Sequence, residues 1–172
     1  MTLIKIRNAG AEDIRLISAL AITTCYEAYF ELDPPHDLAD YCFNFLSPEK
    51  TRIEFENPDS TFIIAEIEGK AVGFAKLREG KSVDCVAHLN AIEVQRVYVL
   101  EKMKGRDIGR RLIDESAVIG RERGYELLWL GVWDKNFAAQ RFYERIGMRR
   151  LGTTDFSDGK NEFLNFVYAM NL

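Results

Sequence analysis

The chain has 172 residues, 47% of them hydrophobic and 29% charged, with a formal net charge of −4. These values are ordinary for one soluble globular domain, taken as residues 1–172, and argue against a nucleic-acid partner. No apolar run approaches a membrane span, and the N-terminus does not resemble a signal peptide. Three cysteines (Cys25, Cys42 and Cys85) and two histidines predict free thiols, a cytoplasmic location and no metal site.

The first half of the chain predicts a strand, two or three helices and a hairpin. The strand is Leu3–Arg7, and an apolar stripe in the following residues predicts a helix that Pro34-Pro35 stops. That stripe comprises Ile14, Ile17, Ala21 and Cys25. A second helix is expected over His36–Phe45, and Pro48 and Pro58 bracket either a third helix or a loop. The hairpin pairs Thr61–Glu66 with Ala71–Arg78 through a turn at Glu68-Gly69-Lys70.

The charges of this first half are uneven. No Lys or Arg occurs between Arg15 and Lys50, whereas six carboxylates do: Glu27, Glu31, Asp33, Asp37, Asp40 and Glu49. Such a surface would steer a cationic ligand, although a solvated acidic helix face explains it equally simply.

The stretch Ile92–Ser116 predicts a buried strand, a loop with two glycines, and a helix. Five cations and two acids lie between Glu101 and Arg111. Helix N-terminal amides have no intrahelical acceptor and the helix dipole is positive there, so this loop is suited to a phosphate group. The alternative is an ordinary strand-to-helix turn with a basic rim. The Walker and dinucleotide-binding motifs are both absent.

The second half continues with strands and helices in alternation. The helix from about Gly109 is expected to end at Gly124, and a strand at Leu127–Val132 precedes a helix at Phe137–Ile146. Two last strands, Arg149–Thr154 and Glu162–Met170, are joined through the turn at 157–160. Strands mixed with helices in this order predict an α+β domain around one mixed sheet.

Two motifs in these stretches resemble the GNAT superfamily of acetyl-CoA-dependent N-acetyltransferases. The second motif, Asn-x-x-Ala-x-x-Phe-Tyr-x-x-x-Gly-Phe, is almost complete, with Met in place of its last residue. It comprises Asn136, Ala139, Phe142, Tyr143, Gly147 and Met148. In the first motif, Lys104 stands where Gln or Arg is usual and Asp107 where the first glycine is usual, while Gly105 and Gly109 remain.

The resemblance covers nearly the whole chain and implies a mixed, mostly antiparallel seven-stranded sheet, about four flanking helices and a splayed central strand pair. It also implies that acetyl-CoA is the co-substrate, with no metal. The residues matching the cofactor-binding positions are Val97, Tyr98, Val99, Lys104, Gly105, Arg106, Asp107, Ile108, Gly109, Arg110, Asn136, Ala139 and Arg145. Asp107 is expected to turn outward, since a carboxylate beside a pyrophosphate repels it.

Two residues are candidates for the proton transfers that acetylation of an amine requires. Tyr143 matches the family's general acid, which protonates the departing thiolate; its alternative role is packing against the cofactor. Glu93 on the central strand is the candidate base, directly or through water. Its alternatives are a surface strand carboxylate, or a reaction in which solvent takes the proton.

The predicted function is N-acetylation of a small-molecule primary amine by direct attack in a ternary complex. Residues 26–62 loosely resemble the PaiA-type polyamine acetyltransferases, so spermidine or spermine is the first candidate acceptor. A protein N-terminus, an amino acid or an antibiotic amine are alternatives, as is a non-catalytic acyl-CoA sensor. No membrane or nucleic-acid partner is expected, and the oligomeric state is left open, with a homodimer as one option.

Overall fold

The computed structural model describes residues 3–157 and 162–172. The strands are β1 (Ile4–Asn8), β2 (Ser60–Ile67), β3 (Lys70–Arg78), β4 (Ala91–Val99), β5 (Leu127–Trp133), β6 (Arg149–Ser157) and β7 (Glu162–Asn171). The α-helices are α1 (Ile14–Tyr29), α2 (Pro35–Leu46), α3 (Pro48–Glu56), α4 (Ile108–Glu122) and α5 (Phe137–Arg145). The predicted turn at 157–160 lies, apart from Ser157, outside the described residues.

The seven strands form one sheet in the order β1-β2-β3-β4-β5-β7-β6. β1 and β2, β5 and β7, and β6 and β7 pair antiparallel, whereas β4 and β5 pair parallel. The predicted α+β class and mixed sheet are therefore confirmed. The described residues contain five α-helices, because the segment that begins at Pro48 is helical and not a loop.

The ends of the helices follow from local chemistry. Pro35 and Pro48 occupy first helical positions, where a missing N–H costs nothing, and the Ser47 hydroxyl accepts a hydrogen bond from the Lys50 amide. Gly124 follows α4 at φ 80°, and the Tyr125 amide donates back to the Gly120 carbonyl. This left-handed cap is the one predicted at Gly124.

The chain divides into two compact units, the first comprising Met1–Leu77 and Arg96–Glu115. Its core joins α1 and α2 to strands β2 and β3 through apolar side chains. The buried members are Ile17, Leu20, Ala21, Cys25, Leu38, Cys42, Leu46, Phe62, Ile64 and Phe74. The apolar stripe predicted for α1 is therefore confirmed, and α2 buries Leu38 and Cys42 while its Phe45 is exposed.

The second unit comprises Arg78–Gln95 and Ser116–Leu172. One of its core clusters contains Val86, Leu127, Trp129, Val167 and Ala169, with Val83, Cys85 and Ala91 packed against them. The connection between β3 and β4 thus covers one face of β5 and β7. No helix in the described part of the chain has the length and apolarity to cross a membrane.

The two central strands pair over a short distance only. The register joins Ala91, Ile92 and Glu93 of β4 to Leu127, Leu128 and Trp129 of β5. Both strands continue past this register, β4 to Val99 and β5 to Trp133. Glu93 and Trp129 are the last pair of this register, and the splayed central pair stays a prediction.

Candidate active site

The loop between β4 and α4 adopts a backbone shape suited to holding an anion. Gly105 and Asp107 both have positive φ, 76° and 66°, so the chain curls before α4 begins at Ile108. The carbonyl of Asp107 accepts from the Arg111 amide at 3.1 Å, which makes Asp107 the residue that precedes the first helical turn. The amides of Ile108, Gly109 and Arg110 belong to that turn and have no acceptor within the helix. This is the arrangement that binds phosphates at helix N-termini.

Asp107 adopts the conformation that the family's glycine would supply. Among non-glycine residues, Asp and Asn tolerate the left-handed region best. Asp107 and its neighbours Lys104, Gly105 and Arg106 are exposed to solvent, whereas the side chain of Ile108 is buried. Ile108 can therefore contribute only its backbone to a ligand.

Two of the loop's cations already have acidic neighbours. Lys104 forms an ion pair with Glu101, and Arg110 lies 3.7 Å from Asp114. All four side chains are more than half exposed, so these pairs contribute little to stability and either cation can turn towards a phosphate.

The end of β4 is held from one side by β3. The Leu100 amide donates to the Val72 carbonyl at 3.0 Å, and a Cβ added at Gly73 would lie 2.6 Å from the Tyr98 carbonyl oxygen. Glycine at position 73 therefore permits this close approach. The Tyr98 ring packs 6.0 Å from Phe74, and burial raises the pKa of its phenol well above the usual value. Tyr98 can offer a ligand its backbone but not an ionised side chain.

The second motif, which runs from Asn136 to Met148 and is called the α5 motif below, consists largely of residues that cap the two ends of α5. The Asn136 side-chain oxygen accepts from the Ala139 amide at 3.1 Å, and its backbone N–H donates to Trp133. Among the described residues the side-chain NH₂ of Asn136 has no acceptor in these bonds, so it is the donor that a ligand could use. At the other end, Gly147 has φ 93° and the Met148 amide donates to the Tyr143 carbonyl. Met148 is buried, so a large apolar side chain after this glycine completes the cap.

Tyr143 lies in the aromatic part of α5 and is 8% exposed. Its ring centroid is 5.1 Å from that of Phe142 and 6.2 Å from that of Tyr168. The Tyr168 hydroxyl donates to Glu144 at 3.0 Å, and burial together with this carboxylate raises the pKa of Tyr168. Tyr168 therefore stays neutral beside Tyr143. This packing is compatible with both roles predicted for Tyr143.

Glu93 is buried, which contradicts the alternative of a surface strand carboxylate. Only 9% of its side chain is exposed, and its Oε2 accepts from Arg78 Nε at 2.7 Å. Sequence reasoning missed Arg78. The signal was its place at the end of a largely apolar strand, where a charged residue needs a partner.

A partly buried ionic cluster in the first unit was also missed. The Glu54 carboxylate accepts from both terminal nitrogens of Arg96, and Lys76 Nζ lies 3.1 Å from it. Burial alone would raise the pKa of Glu54, but the guanidinium of Arg96 and the ammonium of Lys76 outweigh it and lower that pKa. Lys76 and Arg96 interrupt apolar strand patterns, which is the sequence signal for such a cluster.

The acidic interval lies on α1, α2, the turn between them and, at Glu49, the first turn of α3. Five of its six carboxylates belong to exposed residues, and Asp33 is half-buried. The Glu27 carboxylate accepts a hydrogen bond from the Glu101 amide at 2.9 Å. This bond fixes α1 beside the short turn that precedes the loop between β4 and α4, which is called the anion loop below. Aromatic side chains are exposed among these acids, including Phe30 and Phe43. The described residues contain no group of three or more metal-ligating side chains.

The model of the acetyltransferase (GNAT) family matches residues 21–148. The chain belongs to this family. An uncharacterized N-acetyltransferase from the pepI 3′ region of Lactobacillus delbrueckii subsp. lactis is 26% identical over 167 residues, which is 97% of this chain and 96% of that protein. The streptothricin acetyltransferase of Streptomyces lavendulae is 33% identical over 100 residues, 58% of this chain and 50% of that one.

The fold of this GNAT chain also matches solved structures. The PaiA N-acetyltransferase of Thermoplasma acidophilum, solved in complex with coenzyme A, superposes with a TM-score of 0.79 at 21% identity over 99% of both chains. The protein is thus an acetyl-CoA-dependent N-acetyltransferase, and the predicted activity class and co-substrate are confirmed. Family membership favours the enzyme over a non-catalytic sensor.

Proposed function

We propose that this enzyme acetylates a cationic primary amine, with a polyamine such as spermidine or spermine as the first candidate. The observation that carries this proposal is the acidic surface of α1 and α2, which has no Lys or Arg from residue 16 to 49. Glu27 ties this surface to Glu101 and so to the chain that leads into the anion loop. Exposed aromatic rings among the acids suit the methylene segments and ammonium groups of such an acceptor. The fold likeness to the PaiA enzyme is compatible with it.

We place acetyl-CoA on the anion loop and on the end of β4. The amides of residues 105–110 and the cations Lys104, Arg106 and Arg110 would hold the pyrophosphate. Backbone groups of Val97, Tyr98 and Val99, on the part of β4 beyond its register with β5, would hold the pantetheine arm. The Asn136 NH₂ would bond this arm, Ala139 would leave it room, and Arg145 is exposed near the end of α5 for a further phosphate contact.

Acetyl-CoA supplies a thioester whose carbonyl carbon takes up the amine and whose thiolate leaves. Glu93 would accept the proton that the ammonium group loses, so that the nitrogen lone pair becomes available. A β4 amide among residues 97–99 would donate to the carbonyl oxygen as charge develops there. Tyr143 would donate its phenolic proton to the sulfur. We place this reaction in the cytoplasm, where the cysteines are free thiols as they are in the structure.

An antibiotic amine is the second candidate acceptor. The streptothricin acetyltransferase shares 33% identity over 100 residues, a higher identity over that stretch than the pepI-region relative has over its own. A third candidate, an amino acid, has weaker support in the 26% identity over 128 residues to the mouse N-acetylaspartate synthetase, of which the match covers 38%.

The test is a panel of acceptors assayed with acetyl-CoA by release of free thiol. Spermidine, spermine, streptothricin, aspartate and a neutral amine are compared at low and high ionic strength. Polyamines should give the highest kcat/KM, and their advantage should shrink with salt because exposed charges are screened. If the neutral amine or aspartate is acetylated as efficiently as spermidine, the acidic surface has no part in acceptor choice.

A matched pair of variants links this preference to the surface. Glu31→Gln combined with Asp37→Asn removes two exposed acids from the interval, and Glu122→Gln combined with Glu126→Gln removes two from elsewhere. The first pair should raise KM for spermidine by about three- to thirtyfold at low salt, at a few tenths to 1 kcal/mol per charge. The control pair should leave KM within error of the wild type.

A further inference from the structure

The indole N–H of Trp129 is a buried donor without a hydrogen-bond acceptor among the described residues. The residue is 2% exposed, and Nε1 has no partner. An unsatisfied buried donor costs about 1–3 kcal/mol, so native proteins keep few of them. A phenylalanine would fill an apolar site without that cost. We therefore expect the N–H of Trp129 to donate a hydrogen bond to a group that is present when the enzyme works.

The position of Trp129 in the sheet makes Glu93 its neighbour. Trp129 is the register partner of Glu93, and this is the last pair in the parallel register of β4 and β5. Paired residues of adjacent strands project from the same face of a sheet, and their strands lie about 4.8 Å apart. Ala91, Leu127 and Trp129 all belong to the cluster on one face, so Glu93 projects there too. The side chains of Trp129 and Glu93 therefore leave neighbouring backbone positions on the same face of the sheet, at the end of the register.

The environment of Glu93 makes direct proton transfer difficult. Its side chain is 9% exposed, and Arg78 occupies Oε2. A carboxylate this deep meets a substrate amine most easily through one bridging water. A water between Glu93 and Trp129 would have both a carboxylate acceptor and an N–H donor, the kind of polar partners that hold a buried water.

We propose that Trp129 is a positioning residue that orients the water through which Glu93 takes the proton of the acceptor amine. The indole N–H can only donate, so it bonds to a lone pair of the water oxygen. The hydrogens of the water then stay available for the carboxylate. The ammonium group gives its proton to the water oxygen while the water gives a proton to Glu93. One proton passes from nitrogen to carboxylate, the water is regenerated, and the neutral amine attacks the thioester. This inference rests on Glu93 being the base of the proposed function.

The test compares Trp129→Phe, Glu93→Gln and the double variant across pH, using the best acceptor of the panel. At low pH the amine is protonated and needs the base, whereas at high pH part of it is already neutral. Both single variants should therefore lose about tenfold or more in kcat/KM at low pH and approach the wild type at high pH. The double variant should be no slower than Glu93→Gln, because the water acts only through that carboxylate.

A purely structural role for Trp129 would give a different pattern. A uniform loss at all pH values, an unchanged profile in Trp129→Phe, or multiplying losses in the double variant would each overturn the inference. If Glu93→Gln keeps the wild-type profile, Glu93 is not the base, and the proposed base and the inference fail together. If the pH profile of kcat/KM changes in Glu93→Gln but not in Trp129→Phe, only the inference about Trp129 fails.

A second measurement covers the case in which Trp129→Phe does not fold. The chain has two tryptophans, so Trp133→Phe leaves Trp129 as the only one. Biosynthetic replacement of that residue by benzothienylalanine keeps the ring shape and substitutes sulfur for N–H. Compared with Trp133→Phe containing tryptophan, the analogue should show the same low-pH loss with unchanged acetyl-CoA affinity. Identical pH profiles for the two proteins would overturn the inference.

Discussion

Asp107 offers a direct test of how the anion loop works, because it combines a charge that opposes phosphate binding with an unusual backbone angle. Its φ of 66° requires a residue that tolerates the left-handed region, and its carboxylate is exposed on the loop. Asp107→Asn removes the charge and keeps that tolerance. Asp107→Ala removes the charge but adds about 1–2 kcal/mol of backbone strain. Asp107→Gly removes the charge and the strain together.

The expected effect on acetyl-CoA binding follows from the charges. In a water-like dielectric, an outward-turned carboxylate about 8 Å from the two pyrophosphate charges is repelled by about 0.5 kcal/mol by each of them, or about 1 kcal/mol together. Asp107→Asn and Asp107→Gly should therefore tighten the dissociation constant by roughly fivefold at low ionic strength. The gain should disappear in high salt. The same carboxylate interacts favourably with the positive end of the α4 dipole. Asp107→Asn loses this interaction and should therefore lower the free energy of unfolding by about 0.3–1 kcal/mol.

Isothermal titration calorimetry at two salt concentrations and urea unfolding measure these quantities. Asp107→Ala should lose more stability than Asp107→Asn, since only the alanine is strained at this angle. Unchanged or weaker affinity in Asp107→Asn at low salt would mean that the pyrophosphate does not lie on this loop. Equal stability of the Asn and Ala variants would mean that the backbone angle carries no strain.

Three further substitutions address other parts of the site. Tyr143→Phe should lower turnover by about 10²–10⁴-fold while the acetyl-CoA dissociation constant stays the same, measured by stopped-flow and calorimetry; equal turnover under conditions where chemistry limits the rate would leave Tyr143 a packing residue. Gly109→Trp should weaken acetyl-CoA binding by blocking access to the first-turn amides of α4, and wild-type affinity would contradict that placement. Glu54→Gln should destabilise the protein by about 3–5 kcal/mol in urea unfolding, because Lys76 and Arg96 lose their partly buried counter-charge.

The Glu54 cluster also predicts how stability depends on pH. The pKa of this carboxyl is lowered in the folded protein, so its contribution is present above the unfolded pKa near 4.5 and is lost as pH falls through the folded pKa. Wild-type stability should therefore decrease on acidification below about pH 4.5 more steeply than that of Glu54→Gln. Parallel curves for the two proteins would contradict this assignment.

The sequence by itself determined the order of elements and the activity class, because both depend on local signals. Apolar spacing at 3.6 residues identified α1 and α4, Pro34-Pro35 marked the break between the first two helices, and Gly124 marked the end of α4. The α5 motif was readable because its residues cap and close a single helix, from Asn136 to Met148. Such signals act over a few residues and need no knowledge of distant contacts.

The tertiary structure decided which charged residues meet and which groups are left without partners. Glu54, Lys76 and Arg96 come from α3, β3 and β4, so no local pattern pairs them. The partnership of Glu93 with Arg78 likewise joins residues of two strands, and the burial of Glu93 removes the surface carboxylate that the sequence had left open as an alternative. The pairing of Glu93 with Trp129 depends on the parallel register of β4 and β5, which a single sequence does not specify. Burial and register are properties of the packed chain, and they determine the environment in which the predicted base acts.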